Sequence, residues 1–224
     1  MATSVALRTL KINLDMPRQL IRLESEQFRD PPAPKDLGAV KGLRGGAAVL
    51  TVAAFEAFLK DLLSEHIDNL STLVSTSTFF KLPEQLRVAN TFNSLEEAMR
   101  GSRRGAATGR GNRLSDVKRA AGFVYNDELN PESFGQSRNN PGKESVRDAC
   151  REVGLTDIFD KIKRRFESRW GTPVSHSFIP DKLEDIVFRR HRAAHGVPGL
   201  SLSRTDLREG LKFIRILGNT SDIF

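Results

Sequence analysis

The sequence has few of the residues on which several protein classes depend. Its single cysteine, Cys150, excludes an internal disulfide and a zinc site built from several thiolates. Such sparing use of cysteine is typical of a reducing compartment, and we expect a cytoplasmic protein. One tryptophan and one tyrosine are too few for a wide aromatic platform on which RNA bases stack. The 14 phenylalanines are expected mainly in the core.

Long apolar runs are also missing. The best candidate, from Ala47 to Leu59, is too short to cross a bilayer and carries Glu56 in its middle. The first residues lack a charged start followed by a sustained apolar stretch, so no signal peptide is predicted. We therefore expect no membrane association.

Positive charge is in excess. Lysine and arginine number 35 against 28 aspartates and glutamates, which gives a formal net charge of +7 over 224 residues. Such a charge attracts polyanions such as RNA before contact, although many basic surfaces are only solvated. A helical DNA-binding regulator would suit the charge as well, but no pair of predicted helices resembles a helix-turn-helix with an exposed recognition face.

The pattern of apolar residues is helical along almost the whole chain. The N-terminal segment, residues 5–29, is the least clear, because Leu10, Ile12 and Leu14 also alternate as a short strand does. A helix is predicted there at least from about residue 17. Further helices are predicted over residues 36–73, 83–99, 180–195 and 205–217, and two more, 145–154 and 157–170, within residues 145–170. The fold class is all-α, in a single domain over residues 1–224.

An insertion of loop and short helix is predicted between about residues 101 and 145. Its helix is expected over residues 113–123. The glycine-rich start of the insertion contains several arginines, which either guide an RNA strand or only solubilise a loop. These arginines are Arg103, Arg104, Arg110 and Arg113.

The densest group of candidate functional residues lies near the end of the predicted helix 180–195. Leu183, Ile186 and Val187 form an apolar stripe, and Arg190 follows on the same stripe. A permanently charged guanidinium at a core-facing position needs a partner or a solvent-filled cleft. Glu56 interrupts an apolar helix in the same way, so we expect it to face Arg190 and to orient it. The alternative is an ion pair that only fixes the register of two helices.

His191 and His195 are four residues apart and therefore lie on one face of this helix, before Gly196 ends it. Arg190 and His195 are five residues apart, about 140° around the helix, so only a long arginine side chain brings both to one pocket. Histidine suits proton transfer because its charge changes near neutral pH. Two histidines also suggest a metal ion, but no carboxylate lies within the same turn, and we predict no metal site.

The same helix resembles a known family signature. The segment Arg190-His191-Arg192-Ala193-Ala194-His195-Gly196 is similar to the Arg-x4-6-His motif of the HEPN superfamily. The apolar helix over residues 53–63 looks like one placed earlier in those bundles. Asn140-Pro141, Val146-Arg147 and the segment 154–159 are similar to the central part of the RiboL-PSP-HEPN group.

This resemblance implies a HEPN-like antiparallel helical bundle. It also implies, often, a metal-independent endoribonuclease of toxin–antitoxin, phage-defence or RNA-processing systems, with no cofactor. The partners implied are RNA, a second copy that completes a composite active site, and an antitoxin or other regulatory protein. The alternative is a non-catalytic HEPN-like module that binds RNA, nucleotides or a protein partner.

On the same resemblance, Arg190 and His195 are the catalytic pair. Glu56 joins the expected site on the separate ground of its helix pattern, as the residue that orients Arg190. His191 takes the position after the arginine, which is commonly Asn or Asp in the family, so its role stays open. Arg189 and Arg192 are expected to hold flanking RNA phosphates; Arg189 also satisfies the looser motif spacing. The ribose 2′-hydroxyl is an internal nucleophile, so the protein needs only to position it, move protons and stabilise charge.

Overall fold

The computed structural model describes residues 3–100, 110–134, 141–195 and 202–222. Within these residues the fold is all-α and contains no β-strand, as predicted. None of the helices in these ranges is long and apolar enough to cross a membrane. The α-helices of this part of the chain are α1 (Val5–Asn13), α2 (Asp15–Gln27), α3 (Leu37–Leu73), α4 (Thr76–Phe79), α5 (Glu84–Arg100), α6 (Arg110–Tyr125), α7 (Lys143–Glu152), α8 (Ile158–Trp170), α9 (Phe178–Ala194) and α10 (Arg204–Ser221).

The N-terminal segment is helical from Val5, so the alternative of a short strand is wrong. Leu7, Leu10 and Leu14 are buried while Ile12 is exposed, which is the burial pattern of a helix and not of a strand. The side chain of Ser4 accepts a hydrogen bond from the backbone N–H of Leu7 at 3.0 Å and so caps α1.

Other helix bounds differ modestly from the prediction. Helix α6 is longer than the predicted 113–123, and α9 begins at Phe178, two residues before the predicted start. The one-turn helix α4 was not predicted, because its four residues are too short for a periodic apolar pattern. The helix stop predicted at Gly196 and the arginines at 103 and 104 lie outside the described residues.

The chain divides into two compact units. The first contains Met1–Leu59, Ser137–Val146 and Ile158–Phe224; the second contains Lys60–Gln136 and Arg147–Asp157. Helices α3 and α7 each supply residues to both units. A single domain over residues 1–224 stays a prediction.

The first unit has an aromatic core where α8, α9 and α10 meet. The ring of Phe166 lies 5.5 Å from that of Trp170 and 5.5 Å from that of Phe213, measured between centroids. Phe178, at the start of α9, completes the cluster at 6.2 Å from Phe166. These contacts fix α9 between its two neighbours in the chain and so position its C-terminal end.

The second unit contains a buried polar network between α5 and the turn at Pro131–Ser133. The backbone N–H of Asn130 donates to Oδ1 of Asn90 at 2.8 Å, and its side-chain amide donates to Oγ of Ser94 at 3.1 Å. The amide of Asn90 donates in turn to the carbonyl of Glu128 at 2.9 Å. The network satisfies polar groups that would otherwise destabilise the core.

Candidate functional site

The candidate site is built on the last two turns of α9. Ile179, Leu183, Ile186 and Val187 are buried and hold this helix against the core of the first unit. Arg190 is the next residue on their stripe, and its side chain is only 22% exposed. The guanidinium of Arg190 therefore lies at the edge of the apolar core.

Glu56 of α3 faces this guanidinium, as predicted. Its Oε2 lies 3.8 Å from Nη2 of Arg190, and the Glu56 side chain is 28% exposed. This distance is an electrostatic contact and is too long for a direct hydrogen bond between the two atoms. Because both side chains keep some exposure, the pair lies at a solvent-accessible margin and differs from a fully buried ion pair.

His191 and His195 come together on the open side of the same helix. Their ring centroids are 4.3 Å apart and their planes are inclined by 56°. His195 is the C-terminal cap of α9, and its backbone N–H donates to the carbonyl of His191 at 3.1 Å. Both side chains are exposed, so two imidazoles share one solvent-facing surface.

Arg189 is bound by two carboxylates. Its Nε lies 2.9 Å from Oδ1 of Asp185, and its Nη1 lies 2.7 Å from Oδ1 of Asp206 at the start of α10. Partial burial lowers the pKa of Arg189, but the hydrogen bonds to Asp206 and Asp185 outweigh it and raise the pKa above its ordinary value. Arg189 thus ties α9 to α10.

Asp206 is held in place by the same pairing. Burial raises the pKa of this carboxyl, but hydrogen bonds from Ser203 and Arg189 outweigh it, so the pKa lies below its ordinary value. Ser203 and Asp206 also form a capping box at the N-terminus of α10. The start of α10 is therefore fixed beside the candidate site.

An exposed aromatic residue adjoins the histidines. Phe188 is 57% exposed, and the Cζ atom of Arg192 lies 5.7 Å from the centre of its ring. Phe188, His191, Arg192 and His195 follow the i, i+3, i+4, i+7 spacing and form one stripe on α9. The stripe presents an aromatic ring, two imidazoles and a cation to solvent beside Arg190.

A comparison with protein-family models decides which family the chain belongs to. A model described as RiboL-PSP-HEPN matches residues 18–224. The chain belongs to the RiboL-PSP-HEPN family. No curated protein and no solved structure matches it significantly.

Membership of the RiboL-PSP-HEPN family confirms the resemblance seen in the sequence. The matched range includes Glu56 and the whole of α9, so both sides of the candidate site belong to the HEPN-type domain. The family is consistent with the all-helical fold and indicates a nuclease-like or RNA-related module.

The sequence prediction missed Phe188 and a buried charge network. Phe188 lies off the apolar stripe of α9, and this offset was the one available signal that it is exposed. In the network, the carboxylate of Glu24 binds Arg44 at 2.7 Å and Arg204 at 2.6 Å. Arg44 also reaches Asp30 at 3.1 Å. The network joins α2, α3 and α10.

This network lies next to the end of α9. A Cβ atom at Gly45, the neighbour of Arg44, would lie 3.7 Å from Cβ of Ala193, which is ordinary van der Waals contact. Arg44 also donates to the carbonyl of Leu202 at 2.9 Å. The network therefore binds the start of α10 and the carbonyl of Leu202 before it, and it lies next to the end of α9.

No cluster of three or more His, Cys, Asp or Glu side chains in the described part of the chain is arranged to hold a metal ion. Of the arginines predicted to guide RNA, Arg110 and Arg113 lie in α6 of the second unit.

Proposed function

We propose that this RiboL-PSP-HEPN protein is a metal-independent endoribonuclease that cleaves single-stranded RNA. The observation that supports it most is the grouping of Arg190, His191 and His195 at one solvent-accessible helix end, with Glu56 facing the arginine. A fixed cation beside two exposed imidazoles supplies what 2′-hydroxyl attack requires.

In the proposed reaction, one imidazole removes the proton from a ribose 2′-hydroxyl. The oxygen attacks the adjacent phosphorus, and the bond to the 5′-oxygen of the next nucleotide breaks as that oxygen accepts a proton. The products are a 2′,3′-cyclic phosphate and a 5′-hydroxyl. Arg190 stabilises the negative charge on the phosphoryl oxygens, and His195 acts as base or acid. Single-stranded RNA is favoured because the attack needs an unconstrained backbone.

The roles of the neighbouring residues follow from their contacts. Glu56 is a positioning residue, because it acts on RNA only through Arg190. Arg192 and the ring of Phe188 contact the nucleotides next to the scissile phosphate. Arg189 holds α9 on α10, because its guanidinium already binds the carboxylates of Asp185 and Asp206.

Cleavage of end-labelled single-stranded RNA in excess EDTA tests this function. We expect the wild type to cut, and Arg190→Ala and His195→Ala to lose about 10²–10³-fold in rate. His176→Ala is the matched control, because His176 is an exposed histidine before α9 that pairs with Asp160 at 2.8 Å. A 2′-deoxy nucleotide at the cut position should abolish cleavage there.

Two results would contradict the proposal. Equal cutting by all variants would identify a contaminating nuclease or another site. Binding of RNA without any cleavage would instead support the non-catalytic module. Circular dichroism of each variant checks that the helices are retained.

The positioning role of Glu56 has a separate test. Glu56→Gln should lower kcat about tenfold and change KM little, because the cation stays in place but loses its orientation. Glu26→Gln is the control, since Glu26 forms an exposed pair with Arg22 at 2.7 Å on α2. If Glu56→Gln keeps the wild-type kcat, Glu56 does not orient Arg190 for catalysis, and the pair only fixes the register of α3 and α9.

We also propose that two copies form a composite site in which their α9 ends face each other. Light scattering should then give twice the chain mass of 25.0 kDa. A monomer that cleaves RNA at the full rate would overturn this part of the proposal.

A further inference from the structure

Helices α8 and α10 carry a row of exposed cations on their solvent faces. On α10 these residues follow the i, i+4, i+7 spacing and form one stripe. Both helices belong to the first unit. The seven residues, here called the α8–α10 basic face, are Lys161, Arg164, Arg165, Arg169, Arg208, Lys212 and Arg215.

The acidic residues on these two helices already contact other basic side chains. Glu167 pairs with Lys163 at 3.5 Å, and Asp160 contacts His176 at 2.8 Å. On α10, Asp206 pairs with Arg189 at 2.7 Å and Glu209 pairs with Lys182 at 3.0 Å.

As a result, the seven cations of the α8–α10 basic face form no ion pair within the described ranges. Their charge is not cancelled locally, so the face projects a positive potential. A row of uncompensated cations on adjacent packed helices attracts a polyanion much more strongly than scattered surface pairs do.

The α10 stripe starts beside the candidate site. Asp206, which binds Arg189 of α9, is two residues before Arg208, the first cation of the stripe. From Arg208 to Arg215 the helix rises about 10 Å.

The α10 stripe also adjoins α8. The Nζ atom of Lys212 lies 4.5 Å from the ring centre of Trp170, the last residue of α8. Arg169 precedes this tryptophan, and from there the cations continue back to Lys161 over about 12 Å. The exposed cations of α10 therefore continue onto α8 where the two helices meet at Trp170.

The chemistry of the α8–α10 basic face fits a phosphate backbone better than a lipid surface. Helices that bind membranes insert large apolar side chains beside their cations. None of the exposed large apolar side chains in the described part of the chain lies on α8 or α10. The face thus offers charge and hydrogen-bond donors without an apolar wedge.

We propose that the α8–α10 basic face is the surface along which single-stranded RNA runs to the candidate site. The choice of RNA as the polyanion rests on the proposed function. The face contacts phosphates, so it supplies affinity without base specificity, while Arg190 and the histidines act on one phosphodiester.

The test is the affinity for a fluorescent 2′-O-methyl RNA, which cannot undergo 2′-hydroxyl attack, measured by anisotropy at several salt concentrations. One variant is Arg164→Gln/Arg165→Gln/Arg169→Gln, and a second is Arg208→Gln/Lys212→Gln/Arg215→Gln. Each should weaken binding at least tenfold and reduce the slope of log K against log salt by about 2, since each phosphate contact contributes about 0.7.

The control variant changes the charge by the same amount elsewhere. It is Arg18→Gln/Arg22→Gln/Arg151→Gln, and these exposed arginines already pair with Asp15, Glu26 and Asp148. We expect a change in affinity below about threefold, because paired cations release few counterions. If the control and the face variants lose equal affinity, net charge is the cause and the inference is overturned. Equal binding of the wild type to anionic vesicles overturns it as well.

The failure of this inference is distinguishable from failure of the proposed function. His195→Ala should lose cleavage of ordinary RNA but keep the salt slope of 2′-O-methyl RNA binding, because that slope counts the phosphate contacts of the face, to which His195 does not belong. Salt-dependent binding through the face without cleavage of ordinary RNA would contradict the nuclease and support the face. If both face variants bind and cleave RNA as the wild type does, the result would support the nuclease and contradict the role of the face.

Discussion

Replacing Glu24 by glutamine tests how the first unit is held together. The Glu24 side chain is 1% exposed, and its two carboxylate oxygens bind Arg44 and Arg204 at 2.7 and 2.6 Å. An amide keeps the size of the carboxylate but has no charge and only one accepting oxygen. In Glu24→Gln, one of the two largely buried guanidinium groups therefore faces an NH2 group, and both lose their shared counter-charge.

The size of the effect follows from the burial of the three side chains. Removing one partner of a buried ion pair costs about 3–5 kcal/mol, because the other charge stays buried without compensation. Arg44 and Arg204 are 11% and 17% exposed, and Arg44 keeps Asp30 at 3.1 Å, so we take the low end, about 3 kcal/mol. For a chain of this length, 1 kcal/mol lowers Tm by about 2–4 °C, so we expect a decrease of about 6–12 °C.

The chain provides its own probe for this measurement. Trp170 is the single tryptophan and lies in the first unit, so its fluorescence during urea unfolding reports that unit. The control is Glu26→Gln on the same helix, whose exposed pair with Arg22 contributes about 0.5 kcal/mol or less. A loss below about 1 kcal/mol in Glu24→Gln, or one equal to that of the control, would refute the reasoning.

Three further predictions concern single side chains. Asp206→Asn should lower the free energy of unfolding, measured by urea titration, by about 1 kcal/mol at pH 7. Because the pKa of Asp206 is depressed in the folded state, the difference in stability between wild type and variant should shrink as pH falls below about 4. A difference that stays constant with pH would contradict this. Gly218→Ala should lower the free energy of unfolding by about 1–3 kcal/mol, because the added Cβ would overlap the side chain of Leu10. Gly210→Ala is the control and should not lower it, because its Cβ would lie 3.8 Å from the nearest side-chain atom, Cγ1 of Ile186. Burial raises the pKa of the Cys150 thiol from 9.0 to about 12, which lowers its reactive thiolate fraction roughly a thousandfold. Iodoacetamide should therefore label the native protein more slowly than the unfolded protein by that factor. Equal labelling rates would show that the thiol is accessible and would contradict the prediction.

The pairing of Glu56 with Arg190 could be predicted from the sequence because each charge interrupts an apolar helical pattern. Two such interruptions in helices of one bundle have few ways to avoid an unpaired buried charge. The degree of burial was not predictable, because it depends on how the helices cross. The histidine pair was predictable for a simpler reason, since the i, i+4 spacing alone brings two rings together on a helix.

The roles of the two adjacent arginines of α9 could not be separated by sequence. Arg189 and Arg190 both satisfy the motif spacing, and the contact that distinguishes them comes from Asp206, on a different helix. Glu24 was missed for a similar reason: Arg44 and Arg204 are distant in sequence, and each looks like an ordinary surface charge of an amphipathic helix. Tertiary contacts of this kind carry no local signal.

The packed helical fold extends further toward the N-terminus than the family match does. The family match begins at residue 18, whereas α1 ends at Asn13. Yet Leu7 and Leu10 of α1 are buried, and Leu10 fills the space above Gly218 of α10. A fragment cut at the family boundary would leave an open apolar groove along α10, sized for a leucine. Any fragment used for experiments should therefore include α1.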